Sequence, residues 1–143
     1  MKVIQPKKIT TPHGTIGIFN PEKTTNCNYV ISFPGYIGDA LSHENFIKST
    51  FKNNIGVIAI TIKYGQSVKK MMERSESLFE ILEKSHLSPQ SIKYLRAISF
   101  GCFLSLPWMT KLSSQLEKIA LITPCSGEQL PSATEKLAIP TNY

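Results

Sequence analysis

Residues 94–106 read YLRAISFGCFLSL, an apolar run in which Ser99 stands with Ala97 two positions before it and Gly101 two positions after. That spacing suits a nucleophile held up on a sharp strand-to-helix turn. A large side chain at either flanking position would collide with the neighbouring strand or helix. The competing reading is a buried serine with a purely structural role at a strand end. A serine hydroxyl is a weak nucleophile near neutral pH unless a base takes its proton and an acid orients that base. The chain has three histidines, His13, His43 and His86, and all precede Ser99. His13 lies in the turn TPHG, and His86 ends a long helix that returns to the sheet edge opposite a strand-end serine. His43, near the start of the first helix, is the base candidate on the serine's side. Asp39 is the only aspartate and belongs to a turn; Glu128 follows the last strand and reads as surface.

Other chemistries find little support. Cys27, Cys102 and Cys125 are odd in number and lack metal-ligand spacing, so neither a disulfide framework nor a metal site is expected, and no cofactor is implied. The segment PGYIGDA lacks the glycine spacing and the lysine of a phosphate-binding loop. The net charge of +6 comes from scattered lysines, with only Lys7–Lys8 and Lys69–Lys70 adjacent, which argues for solvated surface and against nucleic acid. The start MKVIQPKKIT has no apolar core of a signal peptide, and no run approaches the roughly 18 apolar residues of a membrane span. A cytoplasmic protein is expected. With 143 residues, 41% hydrophobic and 18% charged, the chain has the composition of a single globular domain, 1–143.

The elements that must position Ser99 follow from the pattern. GTIGIFNP (14–21) reads as a strand in an amino-terminal hairpin. NYVISF (28–33) and NIGVIAITIKYG (54–65) are near-continuous apolar runs, as in strands covered on both faces. Between them LSHENFIKSTFKN reads as a helix capped by Ser42, with Phe46, Ile47, Thr50 and Phe51 along one face. A longer helix starts at Ser67, with Val68, Met71, Met72, Ser75, Leu78, Phe79, Leu82 and His86 at helical spacing and charged residues, Arg74 among them, opposite. KYLRAIS (93–99) is a strand, FGCFLSLPWMTKL (100–112) an apolar helix that Pro107 must kink or split, and KIALITP (118–124) a further buried strand. Strands alternating with helices imply a mostly parallel sheet with helices on both faces.

Ala97-Ile98-Ser99-Phe100-Gly101 resembles the G-x-S-x-G elbow of the α/β-hydrolase family, with Ala97 in place of the first glycine. FPGYIG after strand 28–33 is similar to the family's oxyanion loop, with Pro34-Gly35 in place of His-Gly; ITIKYGQS is similar to its turn after the next strand, with Gly65 in the turn and Ser67 capping the helix. The closing KLAIPTNY resembles the approach to the next family strand, on and after which the acid and histidine come. The resemblance implies the amino-terminal two-thirds of such a domain, an incomplete one truncated after the strand that follows the elbow helix. It implies Ser99 as nucleophile, the backbone N–H groups of Tyr36 and Phe100 as the oxyanion hole, and a small-molecule ester, thioester or amide as acyl substrate. Since no histidine follows Ser99, the chain alone is expected to be inactive, and the sheet edge left by strand 118–124 invites self-association. The alternative is a decayed relative that keeps the elbow as structure and binds a small acyl ligand or a partner chain.

Overall fold

A computed structural model of the chain describes residues 6–21, 27–34, 40–65 and 67–122. Six strands form one sheet: β1 (Lys7–Thr11), β2 (Gly14–Phe19), β3 (Asn28–Phe33), β4 (Ile55–Ile62), β5 (Ile92–Ile98) and β6 (Lys118–Ile122), in the spatial order β1-β2-β4-β3-β5-β6. The hairpin β1–β2 is antiparallel and joins β4 antiparallel, whereas β4, β3, β5 and β6 run parallel to their neighbours. Between them lie α1 (Ala40–Lys52), α2 (Val68–Glu83), α3 (Phe100–Leu104) and α4 (Leu106–Lys111), and a short 3-10 turn (Pro89–Ser91) leads into β5. This is a mostly parallel sheet with helices on both faces, as the apolar runs imply.

Alternation along the strands divides the core in two. On one face Ile31, Ile58, Ile60, Leu95 and Ala97 pack under α2, α3 and α4 with Leu78, Phe79 and Trp108. On the other, Val30 and Val57 pack under α1 through Ile47, with Phe46 and Phe51 beside them. Met71 and Phe79 are core residues, as their spacing implies. Ser67 caps α2, its Oγ accepting from the Lys70 N–H at 3.1 Å. Pro107, which cannot donate to the turn before it, splits the apolar helix: α3 ends at Leu104, and α4 begins after Ser105.

Several expectations need correction. α1 starts at Ala40, so Ser42 falls inside the helix and is not its cap. α2 ends at Glu83, short of His86, which is exposed; the Ser85 hydroxyl donates to the Leu82 carbonyl and the chain turns away ahead of Pro89. Val68, in the first turn of α2, is 37% exposed. Strand β6 is not buried, for it pairs only with β5 among the described residues; Lys118, Ile119 and Ala120 are exposed and Leu121 alone reaches the core. Arg74 is not merely part of a solvated face. Its Nη1 donates to the carbonyls of Lys63 and Tyr64 at 2.9 and 2.8 Å, pinning the turn after β4 to α2. Gly65 makes room for that guanidinium, since a Cβ there would lie 2.8 Å from Nη1.

Candidate active site

Strand β3 lies between β4 and β5; the chain leaves it through α1 toward β4 on one face and returns through α2 to β5 on the other. The carboxyl ends of β3 and β5 therefore feed helices on opposite faces, which makes the space between them the topological switch point of the sheet. In open α/β sheets this switch point is where ligands meet the fold. Phe33 at the end of β3 pairs with Ala97, two residues before Ser99.

Ser99 occupies the single residue between β5 and α3, with φ 52° and ψ −124°. Only one other non-glycine residue among those described has positive φ, Asn54 in the turn after α1, at 57°. A side chain held at such an angle costs on the order of 1–3 kcal/mol, so the surroundings must impose it. They do so from three directions. The Ser99 N–H donates to the Ile122 carbonyl of β6 at 2.9 Å, its carbonyl accepts from the Cys102 N–H at 3.0 Å, and α3 is drawn onto the end of β3 at Gly101. A Cβ at Gly101 would lie 2.5 Å from the Pro34 carbonyl oxygen and 2.6 Å from that of Phe33, closer than any side chain tolerates. Ala97 is fully buried on the α3 side. The small residues two before and two after Ser99 thus have the steric reasons that the spacing suggests. The Ser99 side chain is half-buried and makes no capping hydrogen bond to the helix that follows it.

The elbow rests on a rigid base. Trp108 of α4, fully buried, sets its ring edge-to-face against Phe33 and Phe79, with centroids 5.4 and 4.9 Å apart. Its Nε1 donates to the carbonyl and hydroxyl oxygens of Ser75, and the Ser75 hydroxyl donates to the Leu104 carbonyl at 2.7 Å. These bonds tie α2, α3 and α4 together beneath the end of β3. The Trp108–Ser75 pairing, between residues 33 apart, has no signal in the sequence.

Of the other residues singled out, Phe100 begins α3 directly after Ser99, its ring stacked on Phe103 at 6.1 Å. Tyr36, Asp39, Cys125 and Glu128, and the segment KLAIPTNY, lie outside the described residues, as does the side chain of His43, whose backbone is in the first turn of α1. His13 lies in the β1–β2 turn, which meets the carboxyl end of β4, so it shares an edge with Ser99 but is three strand spacings away, about 14 Å. His86 lines a cleft of about 630 Å³ at the opposite edge, with Lys7, Asn20, Cys27 and Tyr29. In that cleft the Tyr29 hydroxyl donates to Asn20 Oδ1, and burial, reinforced by the Cys27 thiol, pushes its pKa up to about 12. Neither His13 nor His86 reaches the elbow. No group of metal-ligating side chains assembles among the described residues.

No protein-family model and no curated protein matches the chain. Solved structures do. A soluble variant of monoglyceride lipase from Saccharomyces cerevisiae, in complex with a substrate analog, matches with a TM-score of 0.63 at 13% identity over 96% of this chain and 52% of the lipase. Est1E from Butyrivibrio proteoclasticus matches with a TM-score of 0.64 at 11% identity over 85% of this chain and 52% of its own. The thioesterase domain from the curacin biosynthetic pathway matches with a TM-score of 0.62 at 14% identity over 96% and 52%. The chain spans about half the length of these structures, and at such identities the likeness is one of fold.

Proposed function

We propose that this chain, which has the α/β-hydrolase fold, carries the nucleophile of a serine hydrolase that acts on an ester, thioester or amide. The observation that supports the reading best is Ser99 itself. Glycine adopts φ 52° with ψ −124° freely, whereas a residue with a β-carbon is strained there; at Ser99 a β-carbon is held at that angle, and the hydroxyl makes no capping bond in return. The strain makes sense if the hydroxyl is there to be presented.

In the proposed step Ser99 Oγ attacks the substrate carbonyl carbon, its proton passes to a base, and the carbonyl π pair becomes an oxyanion. Collapse of that intermediate restores the carbonyl and expels the leaving group, which takes a proton from the same base; water then cleaves the acyl-serine by the reverse sequence. The Phe100 N–H, next to the nucleophile, and the Tyr36 N–H, on the loop leaving β3, are the proposed oxyanion donors, each contributing about 3–4 kcal/mol to the transition state. His43 is the base candidate within the 143 residues, because α1 starts at the edge that holds Ser99.

A second reading is favoured by one observation: neither His13 nor His86, the histidines whose side chains are described, reaches the elbow. On that reading the elbow persists without catalysis and the protein binds a small acyl ligand or a partner chain. A fluorophosphonate probe separates the two. Labelling at Ser99, lost in Ser99→Ala, supports an activated hydroxyl; absence of labelling on a folded chain supports the second reading. Turnover of a short-chain nitrophenyl ester by the 143-residue chain alone is expected to be negligible; if it is found, His43→Ala decides whether the base is His43.

A further inference from the structure

At the amino-terminal edge of the parallel strands, Gly56 of β4 pairs with Tyr29 of β3, and Asn20, next after the Phe19–Val57 pair, follows β2 on the other side of β4. Gly56 is what brings the outer two together. A Cβ there would lie 2.5 Å from Tyr29 Cε1, so the bare backbone of Gly56 lets the phenol ring lie across β4 and reach the Asn20 amide. The Tyr29 hydroxyl donates to Asn20 Oδ1, and burial, which holds its proton, keeps it a donor across the neutral range. An amide whose oxygen is held in this way is fixed in orientation, and its two N–H donors are left for other partners.

Asn20 lines the cleft of about 630 Å³ that also holds Lys7 and His86, a size that suits a small molecule. Lys7 and His86 are exposed, and neither enters an ion pair among the described residues. Ser88 lines the cleft at the start of the 3-10 turn, with a hydroxyl that makes no capping bond. Ile9 and Ile18 from the hairpin and Leu87 from the loop after α2 give the cleft apolar walls. No described lining side chain is acidic. Donors gathered on apolar walls, with one ammonium and no carboxylate, make a site for a monoanion that has an apolar body. A phosphate dianion would call for a second fixed charge, ordinarily an arginine.

We propose that this cleft binds a small organic carboxylate, its charged end held by Lys7 Nζ, the Asn20 amide and Ser88, and its apolar body laid on Ile9, Ile18 and Leu87. The site stands apart from the elbow. Tyr29 is level with Ile92 of β5, and seven residue steps, about 23 Å, separate that level from Ser99. Binding there is therefore independent of whether Ser99 is a nucleophile.

The test is titration of the full, isotope-labelled chain with hexanoate, followed through backbone amides and the Asn20 side-chain N–H groups. The expected result is saturable shifts at Lys7, Asn20, Cys27, His86 and Ser88, unchanged in Ser99→Ala, with hexanamide bound about tenfold more weakly. Lys7→Gln, at an exposed position, weakens hexanoate about fivefold, and Lys7→Arg retains it. Asn20→Asp keeps an acceptor for Tyr29 but sets a carboxylate against the ligand, so binding is lost while the resonances of β3 and β5 show the fold intact. Equal affinity for hexanoate and hexanamide, undiminished binding to Asn20→Asp, saturable shifts confined to Ser99 and its neighbours, or no saturable shift at all overturn the proposal. Inorganic phosphate is expected to leave these resonances in place. If it moves them at a lower concentration than hexanoate does, the cleft is a phosphate site and the carboxylate assignment falls.

Discussion

The Ser75–Trp108 junction and the Ser99 elbow both set a serine hydroxyl among apolar side chains, less than one helix apart. At the junction the serine is fully buried in regular helix, and its hydroxyl both donates to Leu104 and accepts from Trp108. At the elbow the serine is half-buried, its backbone is forced to positive φ, and its hydroxyl caps nothing. A serine that serves structure is recognisable by its satisfied bonds. Ser99 shows the reverse: conformational strain with no local return, the pattern that supports the proposed nucleophile.

Substitutions can sharpen or break this contrast. The largest effect is expected for Trp108→Ala, which empties the base of both regions and should cost about 3–5 kcal/mol in denaturant-monitored stability. Gly101→Ala pushes a methyl into the Pro34 and Phe33 carbonyls and should cost about 1–3 kcal/mol, while also abolishing probe labelling at Ser99 because α3 must move off β3. Ser75→Ala leaves the Leu104 carbonyl without its donor and should cost about 1–2 kcal/mol, with labelling retained. Ser99→Gly should be more stable than Ser99→Ala by about 1 kcal/mol, since glycine relieves the positive φ and alanine does not. If the two Ser99 variants are equally stable, the strain argument is wrong and the contrast between the serines collapses.

The cleft at the other edge adds a prediction in pH. Tyr29 titrates near 12 in the folded chain against about 10 unfolded, so between those values the unfolded state has lost a proton that the native state keeps. Stability should be unaffected by Tyr29 below pH 10 and should fall as pH rises from 10 toward 12. Tyr29→Phe should flatten that alkaline decline in chemical denaturation, while losing the bond to Asn20 at every pH.

Much of the fold was legible because its signals are local. The runs at 28–33 and 54–65 named the central strands by lacking alternation, and Ser67 with the 3.6-residue period named α2. Ala97 and Gly101 marked the elbow, since crowding at a tight turn acts over two residues. What stayed hidden depends on residues distant in sequence. Arg96 meets Ser32 across 64 positions and Trp108 meets Ser75 across 33, and neither pair leaves a pattern in either segment. Strand β6 looked buried because KIALI is apolar, yet burial depends on what lies beside a strand, which composition does not report. A base and an acid for the proposed nucleophile are the extreme case, since a catalytic constellation is assembled by topology and no spacing along the chain encodes it.

The hydrogen bond from the Ser99 N–H to the Ile122 carbonyl has a consequence for timing. It closes a loop of more than twenty residues onto the strand at the edge of the described sheet, and such contacts form late in folding and open early in local fluctuations. Until β6 docks, one of the three restraints on Ser99 is missing, and the residue is freer to relax toward an ordinary strand end. On a ribosome, the presented hydroxyl would take shape only after residue 122 has emerged. In the finished molecule, its lifetime would track the fraying of β6, so the Ser99 amide should exchange with solvent at the rate of the β6 amides and faster than those of β3.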